Sequence, residues 1–301
     1  MVMYRVKVPA TTANLGPGFD ILGMALDLYN IIEVKETDRG LNIDIEGLGA
    51  KELPTDKSNL VYQTMDYLFD KADYRPAGLD IKLINQIPIA RGLGSSATII
   101  VGGLVLANTL AGTPFSNDQL LNFAAEIEGH PDNVAPALLG GVVISVITDQ
   151  EEIIYKKIKA PELKTVVGIP DFKLSTTEAR EVLPAQVTFN DAVFNCSRVG
   201  LLVSAFMTED YDLLATCFED RLHQSYRQDL VPGMGEVIKE AKDDGALAIA
   251  LSGAGPSIVA LTLENEVEVG ETIVRVFAQH GIKANYKVAE PNSTGVIVEN
   301  L

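Results

Sequence analysis

Residues 88–98 read PIARGLGSSAT and join a strand pattern at 79–84 to an almost entirely apolar helix pattern at 96–110. Glycines allow a ligand to approach the backbone closely, and the start of the following helix offers unpaired N–H groups at the positive end of a dipole. The chain contains no Gly-x4-Gly-Lys-Ser/Thr sequence, so the segment is not a P-loop. We predict an anion-binding loop here, with a glycine-rich turn that binds nothing as the alternative.

Two further glycine-rich segments flank this loop in the chain. PATTANLGPGFD at residues 9–20 follows the first strand pattern, and LSGAGPS at 251–257 joins two apolar strands. Taken alone, the first is typical of a polar loop and the second of a hairpin turn.

The order of patterns predicts two α+β domains, residues 1–160 and 161–301. Strands are expected in the first domain at 2–8, 29–35, 41–46, 79–84, 142–147 and 153–158. Besides 96–110, its helices are expected at 59–72, with Ser58 as N-cap, and at 117–128, opened by a Ser116–Gln119 capping box. The second domain reads β-α-β-β-α-β, which predicts a ferredoxin-like arrangement. Its elements are strand 164–169, a Ser175–Glu178 capping box, helices 190–207, 211–222 and 234–243, strands 246–251 and 257–263, helix 266–279 and strand 282–288.

Composition excludes several classes of partner. The 301 residues include 24 Lys and Arg against 41 Asp and Glu, a formal net charge of −17 that repels nucleic acid and anionic membranes. Apolar runs fall short of the roughly 18 residues a membrane span needs, and the N-terminus lacks a signal-peptide pattern, which predicts a cytoplasmic protein. Cys196 and Cys217 lack CxxC spacing, so we expect two core thiols and neither a disulfide nor a zinc site.

Taken together, PxTxANLGPGFD, PxxxGLGSSAT and SGAGP resemble the three signature motifs of the GHMP kinases. The opening at residues 9–30 and the HPDNVAP segment at 130–136 are similar to the homoserine kinase branch of that superfamily. The resemblance implies a GHMP kinase fold, with an N-terminal domain like ribosomal protein S5 domain 2 and a C-terminal ferredoxin-like domain. It also implies ATP and Mg²⁺ as cofactors, L-homoserine as phosphoryl acceptor in threonine biosynthesis, and a homodimer, since relatives are often dimers.

The resemblance also assigns residues to the nucleotide and the metal. The loop wraps the triphosphate through Pro88, Ile89, Ala90, Arg91, Gly92, Leu93, Gly94, Ser95, Ser96, Ala97 and Thr98. Asn59 matches a position that contacts adenine, although Asn near a helix start is more often a cap. Ser96 and a helix glutamate hold the metal. Helical geometry cannot choose between Glu126 and Glu128, but register against the family favours Glu126.

The same resemblance assigns residues to the phosphoryl acceptor. Asp132 faces the hydroxyl that receives the phosphoryl group, either as general base or, as we favour, to orient it. Asp20, helped by Asn14 and His130, would bind the ammonium group. Arg180 would bind the carboxylate and Thr176 would line the pocket. Arg227 would join Arg180, with Arg221 as its alternative.

No role is predicted for His223 or His280. Two other functions remain open: a GHMP kinase with a different acceptor, and a non-catalytic nucleotide- or metabolite-binding protein of the same fold.

Overall fold

A β-sheet covered by helices forms the first half of the chain in the computed structural model, which describes residues 2–301. Its strands are β1 (Met3–Ala13), β2 (Leu22–Thr37), β3 (Gly40–Gly47), β4 (Gly78–Asn85), β5 (Val142–Ile147) and β6 (Ile153–Ile158). Its helices are α1 (Leu60–Lys71), α2 (Ser95–Leu110), α3 (Asn117–Glu128) and α4 (Pro131–Leu139). Strands β1 and β2 are longer than predicted because their pairing continues to Ala13 and Gly23, at the mouth of the first glycine-rich loop.

The second half begins with strand β7 (Lys164–Pro170). The helices that follow are α5 (Thr176–Glu181), α6 (Phe189–Thr208), α7 (Leu214–Cys217), α8 (Gln224–Arg227), α9 (Met234–Asp243) and α10 (Glu266–Gln279). The remaining strands are β8 (Ala248–Leu251), β9 (Ile258–Thr262), β10 (Ala284–Ala289) and β11 (Ile297–Asn300). The helix predicted at 211–222 is only a 3₁₀ turn followed by the single turn of α7, and the chain then continues without regular structure to α8.

The strands form two sheets. In the first, the order is β11-β1-β2-β4-β3, with β5 paired to β2 and β6 paired to β5. Only the β3–β4 pair is parallel. The second sheet is antiparallel with the order β10-β7-β9-β8, which confirms the predicted ferredoxin-like topology of β7 to β10.

The last strand returns to the first sheet. Strand β11 pairs with β1, placing Ile297 opposite Lys7, and the Leu301 amide donates to the Met3 carbonyl. The predicted boundaries put these residues in the second domain, and the sequence pattern did not identify the strand. The division at 160/161 stays a prediction for the rest of the chain.

Helix α2 forms the centre of the first core. Every residue from Ala97 to Asn108 is buried, as the apolar pattern predicted. Helices α1, α3 and α4 and strands β1 and β2 all contact it. The start of α2 is therefore held rigidly, with its N-terminus directed at the loop that precedes it. No helix within residues 2–301 is long and apolar enough to cross a membrane.

The structure tests the predicted helix caps and the predicted burial of the two cysteines. The capping boxes at Ser116 and Ser175 are both present, which confirms those two predictions. The N-cap of α1 is Asn59 and not Ser58, because the Asn59 side chain accepts from the Val61 amide. Cys217 is buried as expected, whereas Cys196 is exposed on α6.

Asn30 connects the core to the loop before α2. This side chain is fully buried in β2, and its Oδ1 accepts from the backbone amides of Gln86 and Ile87 at 2.9 and 3.1 Å. Its Nδ2 donates to Thr98 Oγ1 at 2.8 Å. Because one buried amide satisfies groups on both sides of residues 88–94, the entry and exit of that loop are fixed relative to each other.

Candidate active site

The three glycine-rich loops meet at a cleft of about 520 Å³ between the two domains. Their contacts are mostly to backbone atoms. Ser252 Oγ donates to the Gly92 carbonyl at 2.6 Å, and the Gly253 amide donates to the Ala13 carbonyl at 3.2 Å. Asn14 Nδ2 donates to the Gly253 carbonyl at 3.0 Å. Segments read separately as a polar loop, an anion loop and a hairpin turn therefore form one surface.

The cleft brings most of the predicted site residues together. Those that line it are Asn14, Asp20, Asn59, Ile89, Ala90, Arg91, Gly92, Leu93, Gly94, Ser95, Ser96, His130, Asp132, Thr176, Arg180 and Arg227. Four predicted residues do not line it: Pro88, Ala97, Thr98 and Glu126. Ala97 and Thr98 are buried inside α2, where Thr98 Oγ1 donates to the Ser95 carbonyl.

An uncapped helix N-terminus lines the cleft. Gly94 is the N-cap of α2 and adopts a left-handed φ of 63°, with no side-chain hydrogen bond to the first turn. A Cβ at Gly94 would overlap Thr11 Oγ1, and a Cβ at Gly92, where φ is 77°, would overlap the Ser252 carbonyl. The amides of the first turn of α2 thus face the cleft with no capping side chain, which is the arrangement that binds phosphate groups.

Glu128, and not Glu126, lies beside Ser96. Ser96 Oγ donates to Glu128 Oε2 at 2.8 Å, and both residues line the cleft. Glu126 is exposed on the other side of α3, where it accepts from the Tyr67 hydroxyl at 2.6 Å. Two residues along a helix are about 200° apart, so only one of the two carboxylates can face α2. The prediction that pairs Glu126 with Ser96 is corrected accordingly.

The Ser96–Glu128 pair fits a magnesium ion. Hydroxyl and carboxylate oxygens are hard donors, and Mg²⁺ commonly takes one or two protein oxygens while keeping water and phosphate ligands. No group of three His, Cys, Asp or Glu side chains suited to a metal occurs in the described chain. Burial raises the pKa of Glu128, although the hydrogen bond from Ser96 and the charge of His130 oppose that effect.

Helix α4 presents Asp132 to the cleft. The helix was not predicted; Pro131 occupies its first position, which suits a residue without an N–H, and Asp132 lies in its first turn. His130 Nδ1 lies 2.6 Å from Asp132 Oδ1, and Asn133 Nδ2 donates to the same oxygen at 3.3 Å. Thr11 Oγ1 donates to Asn133 Oδ1 at 2.7 Å, so the first glycine-rich loop orients this helix start.

The pKa of His130 reflects opposing effects. Burial, the largest of them, lowers this pKa, but the hydrogen bond and charge of Asp132, with the charges of Glu128 and Asp20, outweigh burial and raise it above the ordinary value. The imidazole therefore stays protonated to a higher pH than a free histidine does, and its Nδ1–H group donates a hydrogen bond to Asp132 Oδ1.

The two residues predicted to bind opposite ends of the acceptor are paired with each other. Arg180 Nη1 and Nη2 donate to Asp20 Oδ2 and Oδ1 at 2.9 and 2.7 Å, a bidentate ion pair at the edge of the cleft. The hydrogen bonds with Asp20 are the main reason that the pKa of Arg180 is raised. The pair thus puts a carboxylate and a guanidinium side by side at the cleft, the two groups that could bind the ammonium and the carboxylate of an amino acid.

Arg227, and not Arg221, lines the cleft. Arg227 is 2% exposed and donates to the carbonyls of Ala179 and Gly253 at 2.8 and 3.1 Å. No carboxylate of the described chain forms an ion pair with it, and burial is the main reason that its pKa falls to about 10. Arg221 lies outside the cleft, with half its side chain exposed and Asp191 3.5 Å away.

His223 supports Arg227 from behind the cleft lining, a contact that the sequence prediction missed. This fully buried ring has Nε2 2.7 Å from the Gly16 carbonyl and Nδ1 3.3 Å from Arg227 Nη1. A carbonyl only accepts and a guanidinium only donates, so Nε2 carries the proton and Nδ1 accepts. Burial lowers the pKa of His223, which agrees with a neutral ring. The i, i+4 spacing of His223 and Arg227 was the signal available in the sequence.

Comparison with known proteins agrees with this geometry. The model of the N-terminal domain of GHMP kinases matches residues 59–141, and that of the C-terminal domain matches residues 202–281. The fold and the cleft are therefore those of a GHMP kinase, as predicted.

Individual relatives identify the branch of the GHMP kinases to which the chain belongs. A homoserine kinase of Carboxydothermus hydrogenoformans is 46% identical over 98% of this chain and 96% of its own length. That of Moorella thermoacetica is 46% identical over 98% of this chain and all of its own. The crystal structure of a homoserine kinase from Cytophaga hutchinsonii superposes with a TM-score of 0.89 at 32% identity, covering 99% of this chain and 97% of that one. The chain belongs to the homoserine kinase family.

Replacing Gly92 tests the contact between the loops. We expect Gly92→Ala to destabilise the protein by about 3 kcal/mol or more in urea unfolding, because the new Cβ adds overlap with the Ser252 carbonyl to the cost of a left-handed φ. Gly112→Ala is the matched control: φ there is 83°, but nothing lies within 4 Å of the added carbon. It should cost only about 1 kcal/mol. Equal losses would contradict the proposed contact.

The histidine environments predict an NMR titration. Only three histidines are present, so the ring signals are assignable by substitution. The pKa of His130 should lie above its ordinary value and fall in Asp132→Asn, while that of His223 should lie below its ordinary value. Because folding raises the pKa of His130, its pairing stabilises the fold below about pH 6.5 and loses effect as pH rises through the folded-state pKa. An unchanged His130 pKa in Asp132→Asn would refute the pairing.

Proposed function

We propose that this chain transfers the γ-phosphoryl group of ATP to the side-chain hydroxyl of L-homoserine, giving O-phospho-L-homoserine and ADP. The observation that carries the proposal is one continuous cleft that joins an uncapped helix N-terminus to the Asp20–Arg180 ion pair and the buried Arg227. The first feature suits a triphosphate. The second suits an acceptor with an ammonium and a carboxylate group, which an uncharged alcohol lacks.

The phosphate groups bind to backbone amides at residues 92–96 and at the start of α2. These donors are fixed by the contacts between the loops and by Asn30, so little reorganisation accompanies binding. Ser96 and Glu128 would hold Mg²⁺, which when bound neutralises phosphate charge. A cradle of this kind needs no lysine, and none occurs between residues 88 and 98.

The acceptor binds by exchange with an existing ion pair. Asp20 and Arg180 compensate each other in the free site, and a zwitterionic amino acid can present its ammonium to Asp20 and its carboxylate to Arg180. Arg227 supplies a second positive group that has no carboxylate partner of its own among residues 2–301. The exchange gives both Asp20 and Arg180 a new partner of opposite charge, which favours a zwitterion over a molecule with a single charge.

Asp132 orients the acceptor hydroxyl through its second oxygen. Oδ1 is already occupied by His130 and Asn133, which leaves Oδ2 for the substrate. Phosphoryl transfer passes through a loose transition state in which positioning matters more than early proton removal. Orientation is therefore the role we propose for Asp132. A homodimer and a cytoplasmic location stay predictions.

A panel of acceptors tests the proposed reaction. With ATP and Mg²⁺, purified protein should form ADP with L-homoserine and do so about 100-fold less efficiently with 4-hydroxybutyrate or 3-amino-1-propanol, because each lacks one charged group and leaves its partner unpaired. Equal rates with all three would indicate a kinase of different specificity. Nucleotide binding by calorimetry without any turnover would indicate a non-catalytic binding protein.

The metal assignment is tested by two matched substitutions. Glu128→Gln should lower kcat by about 100-fold and raise the Mg²⁺ concentration needed for half-maximal activity, because it removes the charged oxygen beside Ser96. Glu126→Gln makes the same chemical change two residues away, outside the cleft, and should stay within about twofold of wild type. The reverse result would show that Glu126, and not Glu128, binds the metal.

A further inference from the structure

The guanidinium group of Arg227 has one nitrogen left for a ligand. Its Nε donates to the Ala179 carbonyl, and its Nη1 donates to the Gly253 carbonyl and to His223 Nδ1. These three contacts use the single hydrogen of Nε and both hydrogens of Nη1. Nη2 has no hydrogen-bond partner among residues 2–301, and it is not one of the fully buried unpaired atoms. Since Arg227 lines the cleft, the two N–H groups of Nη2 are the ones that can reach a substrate there.

The ring of His223 is fixed in direction by contacts on its other sides. Nε2 donates to the Gly16 carbonyl at 2.7 Å, and the ring stacks on Phe19 with 5.2 Å between the ring centroids and 28° between the planes. The backbone amide of His223 donates to Asp220 Oδ2 at 2.9 Å, which holds the residue at the start of α8. Because the ring is fully buried and held in this way, Nδ1 stays directed at Arg227 Nη1.

The neutral form of His223 is the one that fits this arrangement. Burial is the largest effect on its pKa and, with the positive charge of Arg227, outweighs the negative charges of Asp220 and Asp20, so this pKa is lowered. A protonated Nδ1 would face the guanidinium as a second donor, and Nη1 would lose its acceptor. A carboxylate in the same place would accept from Nη1 but would compete with a substrate for the positive charge. A neutral ring orients the arginine and leaves its charge available.

We propose that His223 is a positioning residue for the carboxylate of the phosphoryl acceptor. Its Nδ1 lone pair holds Nη1 of Arg227, which leaves Nη2 directed into the cleft. The guanidinium carbons of Arg180 and Arg227 lie 5.3 and 5.2 Å from the Phe19 ring centroid, so both arginines lie near the same part of the cleft. This inference rests on the proposed function, in which the acceptor is an amino acid. His223 does not line the cleft, and it acts through Arg227 without touching either substrate.

Two conservative substitutions separate the roles of the two ring nitrogens. Asn has an oxygen at the δ position, which can accept from Arg227, but its side chain is too short to donate to the Gly16 carbonyl. Gln has an amide nitrogen at the ε position, which can donate to Gly16, but it has no acceptor at the δ position.

The Michaelis constant for the acceptor should follow the contact with Arg227. We expect His223→Gln to raise KM for L-homoserine about tenfold, with kcat and KM for ATP within about twofold of wild type, because one buried hydrogen of Nη1 loses its acceptor. His223→Asn should keep KM for L-homoserine within about threefold of wild type. The opposite ranking would show that His223 serves only to hold the first glycine-rich loop at Gly16, and equal KM values in the two variants would also overturn the proposal.

An acceptor without a carboxylate group provides an internal control. 3-Amino-1-propanol keeps the hydroxyl and ammonium groups of L-homoserine but has nothing for Arg227 to bind. His223→Gln should lower kcat/KM for L-homoserine about tenfold and leave kcat/KM for 3-amino-1-propanol within about twofold. A general loosening of the site would lower both values, so an equal loss with the two acceptors would overturn the proposal. Each variant loses one buried hydrogen bond of the ring, so both should have a lower melting temperature, and the ratio of acceptors is measured on the folded enzyme.

Calorimetry separates this inference from the proposed reaction. The affinity of L-homoserine, measured without nucleotide, should be about tenfold weaker in His223→Gln and close to the wild-type value in His223→Asn. That result would support the role of His223 even if L-homoserine were not phosphorylated. Turnover of L-homoserine by wild type with an unchanged KM in His223→Gln would retain the reaction and refute the role of His223. Wild-type protein that neither binds nor phosphorylates L-homoserine would refute both.

Discussion

The contact between Gly92 and Ser252 is the constraint on which the rest of the site depends. Ser252 is fully buried, and its hydroxyl bonds to both the Gly92 carbonyl and Thr12 Oγ1. Around it the Ser257 amide donates to the Arg91 carbonyl at 3.2 Å. These bonds cross from the second domain to the first, so the shape of the loop before α2 is set by a segment more than 150 residues away in sequence. The proposed phosphate-binding site therefore belongs to the domain interface and to neither domain alone.

The large negative charge of the chain is compatible with an anionic substrate because the site is organised locally. Amides without formal charge line the proposed phosphate site, and two pairs of oppositely charged groups lie at the cleft, Asp20 with Arg180 and His130 with Asp132. Interactions between exposed charges are screened over roughly 8 Å in physiological salt, whereas partly buried pairs are screened much less. The overall charge repels polyanions at long range without deciding what binds in the cleft.

The sequence allowed the fold and most of the cleft to be predicted where local chemistry was decisive. The sequence patterns of the glycine-rich loops, the two capping boxes and the apolar helix each involve residues that are close together in the chain. The structure contains all of these elements. The choice between Glu126 and Glu128 had no such signal, because it depends on which side of α3 faces α2. Strand β11 is only four residues long, and its partner is at the other end of the chain. The spacing of His223 and Arg227 was visible in the sequence, but the burial that makes their contact significant was not.

The return of β11 to the first sheet means that the second domain is attached to the first by two crossings of the chain. The second crossing is held at Asn292, which donates to the Tyr29 hydroxyl at 2.6 Å, and at Ser293, whose carbonyl accepts from Lys157. A body held by one linker can rotate about it in many directions, whereas a body held at two points can only hinge about the line that joins them. The two crossings thus restrict how the walls of the cleft can move relative to each other before any substrate arrives, and less binding energy is needed to bring the domains together around the two substrates.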